Sequence, residues 1–172
     1  MSTYTLIQSQ TLASSAASVT FSAIPGTYTD LCLKASIRST ATGSGFDDYL
    51  GVQFNGITTS VYSRTNIYST AASKGSTAAS DVFLNYGVFD DASNTSNTFN
   101  SIEMYVPSYT ASQSKPNSFI SMGEQNSGSS VYLYASAGLY SQNTAISSVK
   151  LTAMSGTFVT GSSFYLYGIS NA

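Results

Sequence analysis

Six carboxylates are the side chains of this chain best placed to do chemistry: the doublets Asp47-Asp48 and Asp90-Asp91, with Glu103 and Glu124. A glycosidase needs two such groups facing each other across a sugar, one to donate a proton and one to attack or activate water. Both doublets stand in or beside loops, where aspartate commonly serves local backbone hydrogen bonds instead. They could also offer oxygens to Ca²⁺, which takes six to eight, but the spacing marks no ligand set. Other chemistries are closed off. With no histidine, the Ser-His-Asp and Cys-His arrangements and His-based metal sites are excluded, and one cysteine cannot form a zinc or iron–sulfur centre within a single chain. Gly43-Ser44-Gly45 lacks the Lys and Ser/Thr of a phosphate cradle and reads as a flexible loop. The expectation is a protein that is not an enzyme and holds no cofactor or metal.

Cys32 can form no disulfide within the chain, which fits folding in a reducing compartment. Two readings of it stand, a small buried residue or a reactive thiol, and the absence of histidine or an adjacent basic residue favours the first. Asn94-Thr95-Ser96 matches a glycosylation sequon, but Met1 to Gln10 has no signal-like charged start and apolar run, so the match is read as chance. No stretch approaches the ~18 apolar residues of a membrane span. Six basic and eight acidic residues, net −2, leave no basic stripe for a phosphate backbone. Neither nucleic acid nor membrane is expected as a partner, and the chain is expected to be made in a cytoplasm.

The elements that must position these residues are strands. Short β-branched and aromatic runs alternate with period two between Gly, Asn, Asp and Ser clusters, and no convincing helix appears. Thr29 to Ser39 is the clearest, with Leu31, Leu33, Ala35 and Ile37 on one face and Asp30, Cys32, Lys34, Ser36 and Arg38 on the other. Further strands are expected at Thr3–Thr11, Val19–Ile24, Leu50–Phe54, Thr58–Tyr62, Val82–Val88, Thr98–Pro107, Asn117–Gly123, Val131–Tyr140, Ile146–Met154 and Ser163–Ile169. Turns are expected at Pro25-Gly26 and, as a type I′ hairpin, at Asn55-Gly56. The polar stretch Ser69 to Ser80 reads as a loop. Residues 1–172 are expected to form a single all-β domain, an antiparallel two-sheet sandwich, jelly-roll-like.

Only 8% of the chain is charged, yet it holds 13 tyrosines among many serines and threonines. A soluble surface usually carries roughly 25–35% charged residues, so this one reads as a contact surface, rich in the residues that bind at low entropy cost. Tyr132 and Tyr134 oppose Val131 and Leu133 on their strand, and Tyr165 and Tyr167 oppose Phe164 and Leu166. Both faces are apolar. Either these strands are buried on both sides, or one face packs against another chain, which makes Tyr132, Tyr134, Tyr165 and Tyr167 the interface candidates.

Three segments carry a family likeness: TYTLIQSQTLASSAASVTFSAIPGTYTDLCLKASIRS at the start, GVQFNG followed by VYSR in the middle, and ISSVKLTAMSGTFVTGSSFYLYGIS at the close. Together they resemble a family of small β-sandwich virion proteins of tailed bacteriophages. The likeness rests on strand and turn residues, among them Phe54, Asn55, Gly56, Phe164, Leu166, Tyr167 and Gly168, and between Ser63 and Ser130 the chain departs from the pattern. It implies a virion location and either of two roles. One is a capsid decoration or cement protein, a homotrimer bound to the major capsid protein. The other is a tail-fibre or receptor-binding domain that recognises host glycan.

Overall fold

A computed structural model describes residues 3–42, 48–70, 74–124 and 131–170. Among these, no helix forms and twelve strands make two antiparallel sheets, the sandwich that the alternation predicts. The strands are β1 (Thr3–Thr11), β2 (Ser18–Phe21), β3 (Asp30–Ile37), β4 (Asp48–Phe54), β5 (Tyr62–Thr70), β6 (Lys74–Asp81), β7 (Leu84–Phe89), β8 (Asn100–Val106), β9 (Lys115–Glu124), β10 (Val131–Tyr140), β11 (Val149–Ala153) and β12 (Ser163–Ser170). The larger sheet has eight strands in the order β1-β12-β3-β8-β9-β10-β5-β6, and the smaller four, β2-β11-β4-β7. This lopsided division exceeds the eight strands of a plain jelly roll.

Between the sheets lies one apolar core. Val19, Phe21, Leu50, Val52, Phe54, Val149 and Leu151 come from the smaller sheet, and Leu31, Leu33, Ile37, Ile102, Met104, Phe119, Phe164 and Leu166 from the larger. Phe158 belongs to neither sheet's named strands but bridges the backbone to both Ala16 and Ser39. Its ring meets Phe164 edge-on at 5.0 Å and stacks on Phe89 at 5.8 Å. Tyr62 closes the far end, stacked on Tyr140 at 5.2 Å. Its hydroxyl accepts the Phe54 N–H at 2.9 Å and donates to the Ile57 carbonyl at 3.1 Å.

Three expectations need correction. Asn55-Gly56 does turn with positive φ at both residues, 54° and 66°, and Ile57 N–H bonds back to Phe54 C=O. It does not make a hairpin, because β4 pairs with β7 and β11 while the chain beyond Gly56 crosses to the other sheet. The Asn55 carboxamide instead holds the 145–148 loop. Nδ2 donates to Ala145 O at 2.8 Å, and Oδ1 accepts from the backbone N–H groups of Ser147 and Ser148. Thr58–Tyr62 is accordingly irregular until Tyr62 begins β5. Second, most of Ser69 to Ser80 is not a loop: β5 runs to Thr70, and β6 pairs along it from Lys74. A strand held only by its neighbour's backbone needs no apolar face, so its composition gives no strand signal. Third, the break at Pro25-Gly26 is present, but positive φ in that segment falls on Ala23 (53°) rather than on Gly26.

Phe158→Ala should lower unfolding free energy by about 3–5 kcal/mol, read as a shift in denaturant midpoint at unchanged slope. A shift within the scatter of surface substitutions would show that Phe158 is not part of the common core.

Candidate functional site

The smaller sheet covers only the inner face of the larger one. The outer face is set out in rows by the strand register. One row runs Ile67, Ala135, Ile120, Glu103, Lys34, Tyr165, Ser9, and the next runs Ser69, Leu133, Met122, Ser101, Ser36, Ser163, Thr11. On β5, β10 and β9 these rows expose a contiguous group of large apolar side chains: Ile67 (61%), Met122 (50%), Leu133 (49%) and Ile120 (42%). At the opposite end Tyr4 and Leu6 of β1 are also exposed, Tyr4 edge-on to Tyr167 at 6.2 Å. Single exposed apolar residues are ordinary, but a contiguous group marks a contact site.

Between the two ends sits one ion pair, Lys34 Nζ to Glu103 Oε2 at 2.9 Å, with both side chains half-exposed. The partnership holds the Lys34 ammonium above its usual pKa. Lys34, Glu103, Ile120, Met122, Tyr165 and Tyr167 line a shallow groove of about 420 Å³. Beside it, Cys32 lies between Tyr105 and Tyr167 in the register and is buried. Tyr105 donates to Asp30 Oδ2 at 2.8 Å, and that bond holds its own phenol up at about 12.

The four interface candidates divide between the two faces. Tyr165 and Tyr167 stand half-buried on the outer face. Tyr132 and Tyr134 point inward with Ser136, Gly138 and Tyr140, and Tyr134 packs against Gly87 of β7, where a Cβ would come within 3.0 Å of the Tyr134 side chain. Tyr134 stacks with Tyr68 at 5.3 Å and Tyr132 at 6.2 Å. The apolar surplus of β10 therefore reaches solvent through Leu133, on the face opposite its tyrosines.

Ile120 and Met122 were not among the candidates, although β9 carries a signal for them. Its residues alternate Lys115, Asn117, Phe119, Ser121 and Gly123 inward with Pro116, Ser118, Ile120, Met122 and Glu124 outward. Polar side chains on the core side and apolar ones outside invert the usual order. Ile67 carries no such signal, since it lies beyond the strand expected at Thr58–Tyr62.

The acidic candidates are committed elsewhere. Asp48 is fully buried and accepts from the Ser39 hydroxyl and from the backbone N–H groups of Ser155 (2.8 Å) and Gly156 (3.0 Å), fastening the start of β4 to that turn. Asp91 accepts from Ser93 N–H at 2.8 Å, and Asp90 accepts from Asn94 Nδ2 at 3.3 Å, both inside one loop. Glu103 is in the ion pair, Glu124 is exposed at the end of β9, and Asp47 lies outside the described residues. Gly43-Ser44-Gly45 also lies outside them. Among the described residues no group of three or more His, Cys, Asp or Glu could hold a metal ion. The sequon is built into the same loop, whose Asn94 and Thr95 carbonyls accept from the Arg38 guanidinium at 3.0 and 2.7 Å.

No protein-family model matches this chain, and no curated protein matches it either.

Desolvation, and secondarily the Glu103 charge, pushes the Cys32 thiol from 9.0 up to about 11. A thiol whose pKa is raised by folding stabilises the fold below its unfolded value, and that contribution is lost as pH climbs from 9.0 to about 11. Unfolding free energy should fall more steeply over that window in the native chain than in Cys32→Ala. A thiol reagent should label the folded protein much more slowly than the denatured one, and equal rates would contradict the burial.

Proposed function

We propose that this chain is a virion structural protein of the tailed-bacteriophage kind, a capsid decoration or cement protein. It would bind the major capsid protein where capsomers meet. The observation that carries this reading is the outer face of the eight-stranded sheet, apolar on β5, β10 and β9 and again on β1, and nearly neutral between them. At ~4.8 Å between strands and ~3.3 Å per residue, that face measures roughly 34 by 20 Å. Its area, roughly 700 Å², is close to the ~800 Å² each partner buries in a standard specific interface. Burial of such area at capsomer boundaries would resist outward pressure from packaged DNA, since opening the shell would return apolar surface to water. The likeness of the chain's ends and middle to small virion proteins supplies the setting.

A second reading is favoured by the groove at Tyr165 and Tyr167. Tyrosine rings can cover the apolar face of a sugar, and the Lys34 and Glu103 head groups stand where they could bond its hydroxyls. On this reading the chain is a tail-fibre or receptor-binding domain for host surface glycan. Labelling of tails rather than capsids in the particle, with saturable binding to host cells, would replace the first reading by this one.

The capsid proposal is tested by adding the purified protein to expanded capsids that lack it. Co-sedimentation and a higher disruption temperature are expected. The pair of substitutions Ile120→Lys, opposite Glu103, and Met122→Thr should remove both effects while changing the protein's own stability by about 1 kcal/mol or less, as exposed strand sites do. If the native protein neither binds nor protects, the proposal fails.

A further inference from the structure

Among the described residues the larger sheet ends in two edge strands, β1 and β6, and they are built differently. β1 is bulged where its register with β12 shifts between Leu6 and Gln8, and the Gln8 side chain reaches back to the Ser22 carbonyl at 2.7 Å. Bulges are a common means by which an edge strand refuses a further partner. β6 has no such guard. It pairs with β5 from Tyr62↔Asp81 to Ser69↔Lys74 with no register shift, contains no proline, and carries no charge from Gly75 to Ser80. Gly75 apart, each of its side chains described between those charges is exposed. Small Ser, Thr and Ala side chains would not obstruct another backbone drawing up alongside.

We propose that β6 is the edge through which two copies of this chain pair, strand to strand and antiparallel, about a two-fold axis perpendicular to the sheet. Charge decides the orientation. The edge is positive at Lys74, while at its other end Asp81 is paired with Arg64 of its own chain at 3.9 Å. An antiparallel approach keeps the two Lys74 ammonium groups far apart, whereas a parallel one sets them side by side. Symmetry decides the stoichiometry. β6 on β6 is self-complementary and closes at two copies, whereas β6 on β1 would be head-to-tail and could run on as a filament, and the β1 bulge opposes it. Opposed residues in an antiparallel pair share a face, and the two copies keep their outer faces on the same side. The residue numbers of opposed pairs must then add to an even total, so the dyad falls on a residue at the centre of β6, Thr77 or Ala78. This pairing rests on β6 alone and is independent of the capsid proposal, although it would set two outer faces side by side.

Cross-linking of the full-length chain tests it. Thr77→Cys and Ala78→Cys are made separately, since disulfide formation needs Cα atoms within about 7 Å and the dyad falls on one of the two. Under mild air oxidation at least one should become a covalent dimer. Lys74→Cys should not, because it would lie roughly 20 Å or more from its mate across the dyad. The native chain, with Cys32 buried, is the control. As a second measurement, Thr77→Lys sets like charges on or next to the dyad at an exposed position that opposes the neutral Asn66 within the chain, and sedimentation should read a dimer dissociation constant weaker by about tenfold with the circular dichroism unchanged. Cross-linking at Lys74→Cys that matches the central sites, cross-linking at none of the three, or an unaltered dissociation constant in Thr77→Lys would each overturn the proposal. Loss of capsid binding would leave these outcomes untouched.

Discussion

Every strand in a sheet has two faces, and four strands can cover only one face of eight. This inequality governs the rest of the molecule. The inner face is handled in the ordinary way, by Leu31, Leu33, Ile102, Met104, Phe164 and Leu166 meeting the smaller sheet. Among the described residues no layer covers the outer face, which must be stable in water while remaining apolar over several strands. The molecule holds both conditions at once by keeping its large apolar groups on neighbouring strands at one end, with tyrosine bodies at the other and a single closed ion pair between. Where the smaller sheet thins out over β5, β9 and β10, the inner face becomes partly polar. Asn66, Asn117, Ser121 and Ser136 are buried there.

Scarcity of charge takes on a different meaning once positions are known. Several of the few ionised groups are not surface solubilisers but clasps. Arg38 is buried and its guanidinium reaches the carbonyls of Asn94, Thr95 and Thr98, which shapes the loop between β7 and β8. Lys115 is buried with its ammonium donating to the Ala111 and Gln113 carbonyls, and burial lowers its pKa. Asp30 takes a phenol and a backbone N–H, and Asp48 a hydroxyl and two backbone N–H groups. Charge-assisted bonds of this type are stronger than neutral ones, which suits long loops that bring little apolar surface of their own.

Legibility followed the physics of each element. β3 could be read from its residues because one of its faces is core and the other largely polar, and its alternation placed Leu31, Leu33, Ala35 and Ile37 on the inside. β6 could not, because none of its described side chains is buried and the ladder to β5 defines it. The two antiparallel sheets followed from alternation and turns, whereas the strand order depends on contacts between residues far apart in the chain. Of the outer face, Tyr165 and Tyr167 were legible as surplus apolar groups. The side taken by Tyr132 and Tyr134 was not legible, because an aromatic opposite an aliphatic does not say which of them faces inward. Ile120 and Met122 were visible only as an inversion of polarity, meaningful once the inner side of β9 was known.

The clasp made by Asn55 has a consequence for the lifetime of the molecule. Asn-Gly is among the most perishable dipeptides, because the glycine nitrogen can close on the asparagine side-chain carbonyl and expel ammonia. Asparagine is accordingly depleted where proteins must endure heat. Here the carbonyl oxygen is occupied by the N–H groups of Ser147 and Ser148, and the nitrogen by the Ala145 carbonyl. A carboxamide held on both sides cannot swing towards Gly56 without giving up the 145–148 loop. The same three bonds that route the chain from one sheet to the other thus slow its chemical ageing.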